Sequence, residues 1–407
     1  MCIRDRIRSI TYFAHPRWPF SELILQKAGI FGQQAKALFN AAGYDVQTLR
    51  LATPPFPSYL PPEAYSSAIL QMEVLAHSEG FEYVALGPAS PSALESYAAI
   101  PGMLANSGNL FFSGHLNTPD KKISLQAVRA CAEVIHQSAS LEKNGFANLR
   151  FTAMANVDPW SPFFPAAYHE GKEPAFALAI EGADLAVNAF SNAASLADAR
   201  KNLTESIEQH AHKLETVGRQ LEKTYNIKFK GLDYSLAPYP TKAVSMGHAL
   251  ESLGLSAFGR SGTLAAAAFL TDTIDRAKFT RTGFSGLMLP MLEDSTLSLR
   301  AEQGLLSVTD FLLYSAVCGT GLDTIPLPGD TTDEQIYAIL LDVAALAMRL
   351  DKPLTARLMP VPGKKAGDQT GFDFEFFANS RVMNLASQPL KGLLAGEELL
   401  EIKPRKL

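Results

Sequence analysis

The sequence predicts one large α/β domain with a mainly parallel sheet, and three observations predict it. Short β-branched or apolar runs alternate with longer stretches of helical periodicity along nearly the whole chain. With 407 residues, 47% of them hydrophobic, the chain holds ample apolar material for a large core. No linker, charge block or low-complexity stretch divides it, and repeated βα units without a clean boundary favour one body.

The elements are taken in order. Strands are expected at 7–13, 46–52, 81–88, 110–116, 149–157, 176–180, 184–190, 229–236, 283–292, 324–327 and 355–361. Helices are expected at 20–42, 63–79, 91–105, 121–140, 201–225, 241–253, 262–277, 307–317 and 332–350. Leu125, Val128, Ala132 and Ile135 recur at helical spacing, and Cys131 borders their stripe as a buried thiol. In the longest helix Ile207, Ala211, Leu214, Val217 and Leu221 form one apolar face, with Glu208/His212 and Glu215/Arg219 four apart on the other. Pro328-Gly329 closes a strand, and Thr331 with Glu334 reads as a capping box for the helix that follows. The stretch 158–174 is the longest loop, rich in Pro and aromatics. Trp160, Phe163, Phe164 and Tyr168 are expected to fold back on their own sheet, with a homodimer contact or a lid as alternatives.

Composition excludes several classes. Thirty-six basic against 41 acidic side chains give a net charge of −5, which builds no field for nucleic acid. No window offers the ~18 apolar residues of a membrane span. Residues 1–6 are charged and read as a non-native lead, not as a secretory signal. Three cysteines, Cys2, Cys131 and Cys318, build neither a disulfide framework nor a zinc site, so a reducing cytoplasm is expected. Eight histidines offer no metal-binding pair, because His210 and His212 are two apart on a helix. Gly363-Lys364-Lys365 and Gly171-Lys172-Glu173 lack the rest of a Walker loop. Gly319-Thr320-Gly321 precedes a strand where a dinucleotide loop would precede a helix. Gly283-Phe284-Ser285-Gly286 is one residue short of a nucleophile elbow. The cofactor therefore stays unknown, with no nucleotide or zinc signature.

Candidate chemistry remains at a few places. Arg260, Ser261, Gly262 and Thr263 open a helix and would cradle a phosphate or carboxylate, although an ordinary cap also explains them. His169, with Glu170 and Glu173 nearby, would supply an acid–base group or hard-cation ligands. Asp233 and Ser235 stand near a strand end, and Glu293-Asp294 is an adjacent carboxylate pair whose repulsion raises one pKa if both are buried. Cys318, followed by Gly319 as a C-cap, is expected to be buried at a helix end.

Six strings in this order resemble a known family: Ile7 to Thr11, Gly231 to Pro238, Gly259 to Thr263, Gly283 to Gly286 with Pro290, Glu293 and Asp294, Cys318 with Gly321-Leu322-Asp323, and Arg357 and Pro360 before Gly363 to Asp368. The chain resembles a divergent member of the conserved family called domain of unknown function 711. The resemblance implies a single β/α barrel of about ten strands, like that of pyruvate formate-lyase and the other glycyl radical enzymes. It would span 7–365, with a C-terminal extension at 366–407 packed on it. It also implies, by association, an ACT-domain partner. In the radical enzymes a glycine sits in an Arg-Val-x-Gly-Tyr loop; here Arg381-Val382-Met383-Asn384 places Asn at that position, so no glycyl radical is expected. The leading expectation is a barrel that binds a small anionic metabolite and acts on it by polar chemistry, with His169, Asp233, Ser285, Cys318 and Asp323 as catalytic candidates. The alternative is a non-catalytic binding or regulatory protein.

Overall fold

A computed structural model describes residues 6–405. The first half runs β1 (Arg6–Phe13), α1 (Glu22–Ala41), β2 (Asp45–Ala52), α2 (Tyr65–Ser78), β3 (Tyr83–Ala89), α3 (Glu95–Ala105), β4 (Leu110–His115), β5 (Ile123–Ser124), α4 (Leu125–Ser138) and β6 (Phe151–Ala155). The second runs β7 (Ala175–Glu181), α5 (Ala183–Ser191), α6 (Leu196–Tyr225), β8 (Lys228–Asp233), α7 (Met246–Glu251), α8 (Thr263–Arg276), α9 (Ser295–Glu302) and α10 (Val308–Tyr314). It ends with β9 (Gly321–Pro328), α11 (Asp333–Leu350), β10 (Leu354–Val361) and β11 (Leu399–Leu400). The proposed lead at 1–6, Cys2 included, lies outside the described residues except for Arg6, which opens β1.

Nine strands form one sheet in the order β8-β7-β1-β2-β3-β4-β6-β10-β9. The central five, β1, β2, β3, β4 and β6, are parallel. β7 is antiparallel to β1, and β10 to β6. β8 and β9 then follow β7 and β10, so both flanking pairs run against the centre.

The strand expected at 283–292 is absent from this ladder. Gly283 at φ 62° and Ser285 at φ 39° lie in the left-handed region, which interrupts an extended run. Segment 280–292 instead touches both edge strands through isolated parallel bridges, Leu232 to Arg281 and Pro290 to Asp323. The Thr282 N–H donates to the Leu232 carbonyl at 3.1 Å, and that of Met291 to Asp323 at 3.0 Å.

Three further expectations are corrected. Residues 184–190 are helical, because Ala183, Ala186, Val187 and Phe190 bury one face at helical spacing. α9 was not expected; Asp294 caps it by accepting the N–H groups of Thr296 and Leu297. The capping box of α11 is Thr332 with Gln335, one residue beyond the Thr331/Glu334 pair.

The two faces of the sheet differ because side chains alternate. Phe176, Leu178 and Ile180 of β7 pack with the helices in the main core. Ala175 and Ala177 turn to the other face and meet Phe13, Ala52, Ala85 and Phe164 in a separate cluster. These small residues leave room for the loop after β6. The Pro162 carbonyl accepts from Ser9 at 3.3 Å and Thr11 at 2.8 Å, both inside β1, and Phe163, Phe164 and Tyr168 are buried. The loop aromatics thus fold back on their own sheet. Segment 362–384 crosses the start of α9, where the Ala378 N–H reaches the Leu292 carbonyl at 2.7 Å. The rest of the extension returns to α4 and α11, with Leu125 donating to Glu398.

Candidate functional site

A cavity of about 410 Å³ opens on the face of the sheet that carries the loop after β6. Its walls come from the central strands (Thr48 and Arg50 on β2, Tyr83 on β3, Phe111 on β4) and from one flanking pair (Asp323 on β9, Arg357 on β10). Phe163 and Phe164 of the inserted loop form one wall, and Phe374 and Phe376 from the segment after β10 another. Phe146 stacks edge-on against Phe374 at 5.2 Å beside that wall. The volume is that of a small-molecule site.

A row of paired charges borders this cavity. Arg6 and Arg8 pair with Glu181 at 3.3 and 3.1 Å. Arg8 continues to Glu293 at 2.7 Å, Glu293 to Arg357 at 2.9 Å, and Arg357 to Asp323 at 2.6 Å. The carboxylates of Glu181, Glu293 and Asp323 and the Arg357 guanidinium are buried, so the row survives only because each ion has a partner. Burial raises the Asp323 carboxyl above the ordinary carboxylate range, while the neighbouring Arg357 pulls it back. At the rim Arg150 pairs with Glu142 at 2.5 Å.

Arg50 is different. Its Nε donates to Thr48 Oγ1 at 2.9 Å, and its guanidinium lies over the rings of Phe164 at 5.1 Å and Tyr83 at 5.7 Å. Among the described residues no carboxylate lies within ion-pair distance of it. Burial, then the like charge of Arg8, lowers its pKa to about 9. A cation held in that state against an open cavity is a half-built anion site.

The residues singled out from the sequence are not gathered in one place. Asp323 lines the cavity. Asp233 is fully buried and accepts from Ser235 Oγ at 2.6 Å and from the N–H groups of Phe284 at 2.7 Å and Ser285 at 2.8 Å. It ties the end of β8 to segment 280–292, and burial pushes its carboxyl up to about 6. Ser285 spends its hydroxyl on the carbonyls of Thr282 and Leu232. The two glycine-rich strings are one tight crossing: a Cβ on Gly319 would meet Gly286 Cα at 2.8 Å. Cys318 is buried beyond the end of α10, so Gly319 is not a helix cap. Its Sγ accepts from the Gly321 N–H at 3.4 Å, and Lys352 Nζ contacts its carbonyl.

His169 is buried by the inserted loop, edge-on to Trp160 at 5.0 Å, and neither ring nitrogen has a hydrogen-bond partner. Burial pushes its pKa down to about 4. Glu170 and Glu173 line a separate outer pocket with Trp160 and Lys230. Asp294 is an internal cap that also accepts from Ser245 and from the N–H groups of Met246 and Gly247. Arg260, Ser261 and Gly262 are exposed on the outside, and Thr263 uses its hydroxyl on the Arg260 carbonyl at 2.7 Å. Among the described residues no group of three or more His, Cys, Asp or Glu is placed to hold a metal.

Arg8, Arg50 and Arg357 were missed as site residues. Their signal was present: Arg50 and Arg357 are the one arginine of β2 and of β10, and Arg8 follows Arg6 in β1, positions where a charge is placed only with a partner or a ligand.

A family model described as Uncharacterised ACR (DUF711) matches residues 6–379. A UPF0210 protein of Pyrobaculum aerophilum is 32% identical over 351 residues, 80% of this chain and 76% of its own length. UPF0210 proteins of Acetivibrio thermocellus (32% over 287 residues, 68% of this chain and 63% of theirs) and Neisseria meningitidis (31% over 303 residues, 72% and 67%) are similar. The chain belongs to the DUF711 family.

Proposed function

We propose that this DUF711 chain binds a small anionic metabolite in the cavity, with Arg50 as its anchor. One observation carries the reading: a guanidinium without a carboxylate partner faces a ligand-sized cavity in which every other arginine is paired. The cavity is favoured over the helix start at 259–263, where Arg260, Ser261 and Gly262 are exposed and the Thr263 hydroxyl donates to the Arg260 carbonyl.

Binding, more than catalysis, fits the remaining groups. Glu293 and Asp323 reach the cavity, yet both are held by Arg357. Polar chemistry would run through Asp323, which combines access to the cavity with a carboxyl raised by burial. In this reading segment 280–292 completes a pyruvate formate-lyase-like barrel between β8 and β9, supported by its bridges to both strands. Asn384 leaves that barrel without a radical glycine.

The test is thermal shift of the full chain against amino acids, 2-oxo acids and phosphorylated metabolites, repeated with Arg50→Met. A binder at a hundredfold excess over its Kd adds about 2.7 kcal/mol of stability. The expected result is a shift with at least one anion that Arg50→Met abolishes. Shifts of equal size in both proteins, or none with any anion, overturn the assignment.

A further inference from the structure

We infer that the cavity takes a monocarboxylate carrying a bulky apolar or aromatic body, and not a phosphorylated metabolite. The inference rests on the cavity being the ligand site and names the class of ligand from three observations.

The first is charge. The cavity and the ions paired to it hold five guanidiniums (Arg6, Arg8, Arg50, Arg150 and Arg357) and four carboxylates (Glu142, Glu181, Glu293 and Asp323). One positive charge is left over, so a single negative charge balances the site. A phosphate monoester would bring nearly two into a space already walled by Glu293 and Asp323, and the second would be desolvated without a partner.

The second is the form of the anchor. Nε of Arg50 is committed to Thr48, and aromatic rings lie against the guanidinium. What remains is the planar edge of its terminal nitrogens, and a planar carboxylate matches such an edge with two parallel hydrogen bonds.

The third is the wall. A carboxylate alone would leave most of about 410 Å³ empty. Phe111, Phe163, Met288 and Phe374 line the same cavity, with Phe111 edge-on to Phe164 at 5.4 Å and to Tyr83 at 5.3 Å. Burying an apolar body there contributes roughly 25 cal/mol per Å² of surface removed from water, and ring edges favour a flat partner.

Isothermal titration of the full chain with four probes tests this: 3-phenylpropionate, propionate, 3-phenylpropanol and phenyl phosphate. 3-Phenylpropionate is expected to bind one per chain and at least tenfold tighter than the other three. Arg50→Met should weaken it at least tenfold, and Arg50→Lys, which keeps the charge without the fork, should give an intermediate loss. Phenyl phosphate binding as tightly as 3-phenylpropionate, or propionate binding within tenfold of it, overturns the class. If that preferred phosphate binding disappears in Arg50→Met, the class is wrong and the site stands. If 3-phenylpropionate binds wild type and Arg50→Met alike, the site itself is wrong. No heat with any probe overturns the class, and the wider anion panel then decides the site.

Discussion

Arg50 and Phe164 meet at 5.1 Å, guanidinium carbon to ring centroid, although one comes from β2 and the other from the loop after β6. The contact seats the arginine without neutralising it, and a seated charge with no counter-ion weighs against stability until a ligand arrives. Arg50→Met is therefore expected to leave the free protein as stable as wild type or about 1 kcal/mol more stable, while anion binding is lost. Urea unfolding of both proteins without ligand checks it; a loss of 2 kcal/mol or more would show that Arg50 is a structural ion.

Arg357 has the opposite role. It holds Asp323 and Glu293 in one buried fork, and its removal leaves two carboxylates facing each other. Arg357→Met should cost about 3–5 kcal/mol. Unfolding midpoints at pH 7 measure the loss, and a change below 1 kcal/mol would contradict the pairing.

His169 has a pKa pushed down to about 4 by burial. The folded protein resists a proton that the unfolded chain accepts near pH 6.5, so this group contributes stability above that pH and loses it as pH falls toward 4. The slope is about 1.4 kcal/mol per unit over that window. Because neither ring nitrogen is bonded, His169→Phe should be near neutral at pH 7 and flatten the acid slope. Denaturant titrations at pH 7 and pH 5 compare the two, and identical slopes count against a buried neutral imidazole.

Asp233 titrates in the other direction. Its carboxyl is raised by burial to about 6, so the folded state keeps a proton that the unfolded chain has released above pH 4. Stability from this group is present below pH 4 and is lost as pH rises through 6. Asp233→Asn removes that dependence. Its amide also turns an NH2 donor toward one of the two N–H groups, Phe284 or Ser285, that the carboxylate accepts with separate oxygens, at an expected cost of about 1–3 kcal/mol. Hydrogen exchange at 281–286 should accelerate in the variant, and unchanged exchange there would show that Asp233 does not hold this segment.

Much of the architecture was legible in the residues because burial repeats with the period of each element. β7 shows it plainly: Phe176, Leu178 and Ile180 alternate with Ala175, Ala177 and Ala179, so both the strand and its two unlike faces are written locally. Segment 280–292 shows the limit. Its apolar run reads as a strand, yet two left-handed residues and the crossing of Gly286 with Gly319 turn it into a connector. Residues 184–190 fit both periods, and packing against α6 and α7 decided for the helix.

The α/β class, the family and most of the strands and helices follow from the residues alone, since these rest on periodicity and on strings of neighbouring residues; 184–190, 283–292 and α9 are the exceptions. Which charges meet is settled by the folded sheet. Arg8, Glu293 and Arg357 are far apart along the chain, yet both arginines lie within hydrogen-bond reach of Glu293 in space. Arg50 looks no different from them in the sequence, and it is left without a counter-ion because an ion pair acts over a few ångströms between residues that only the folded sheet brings together.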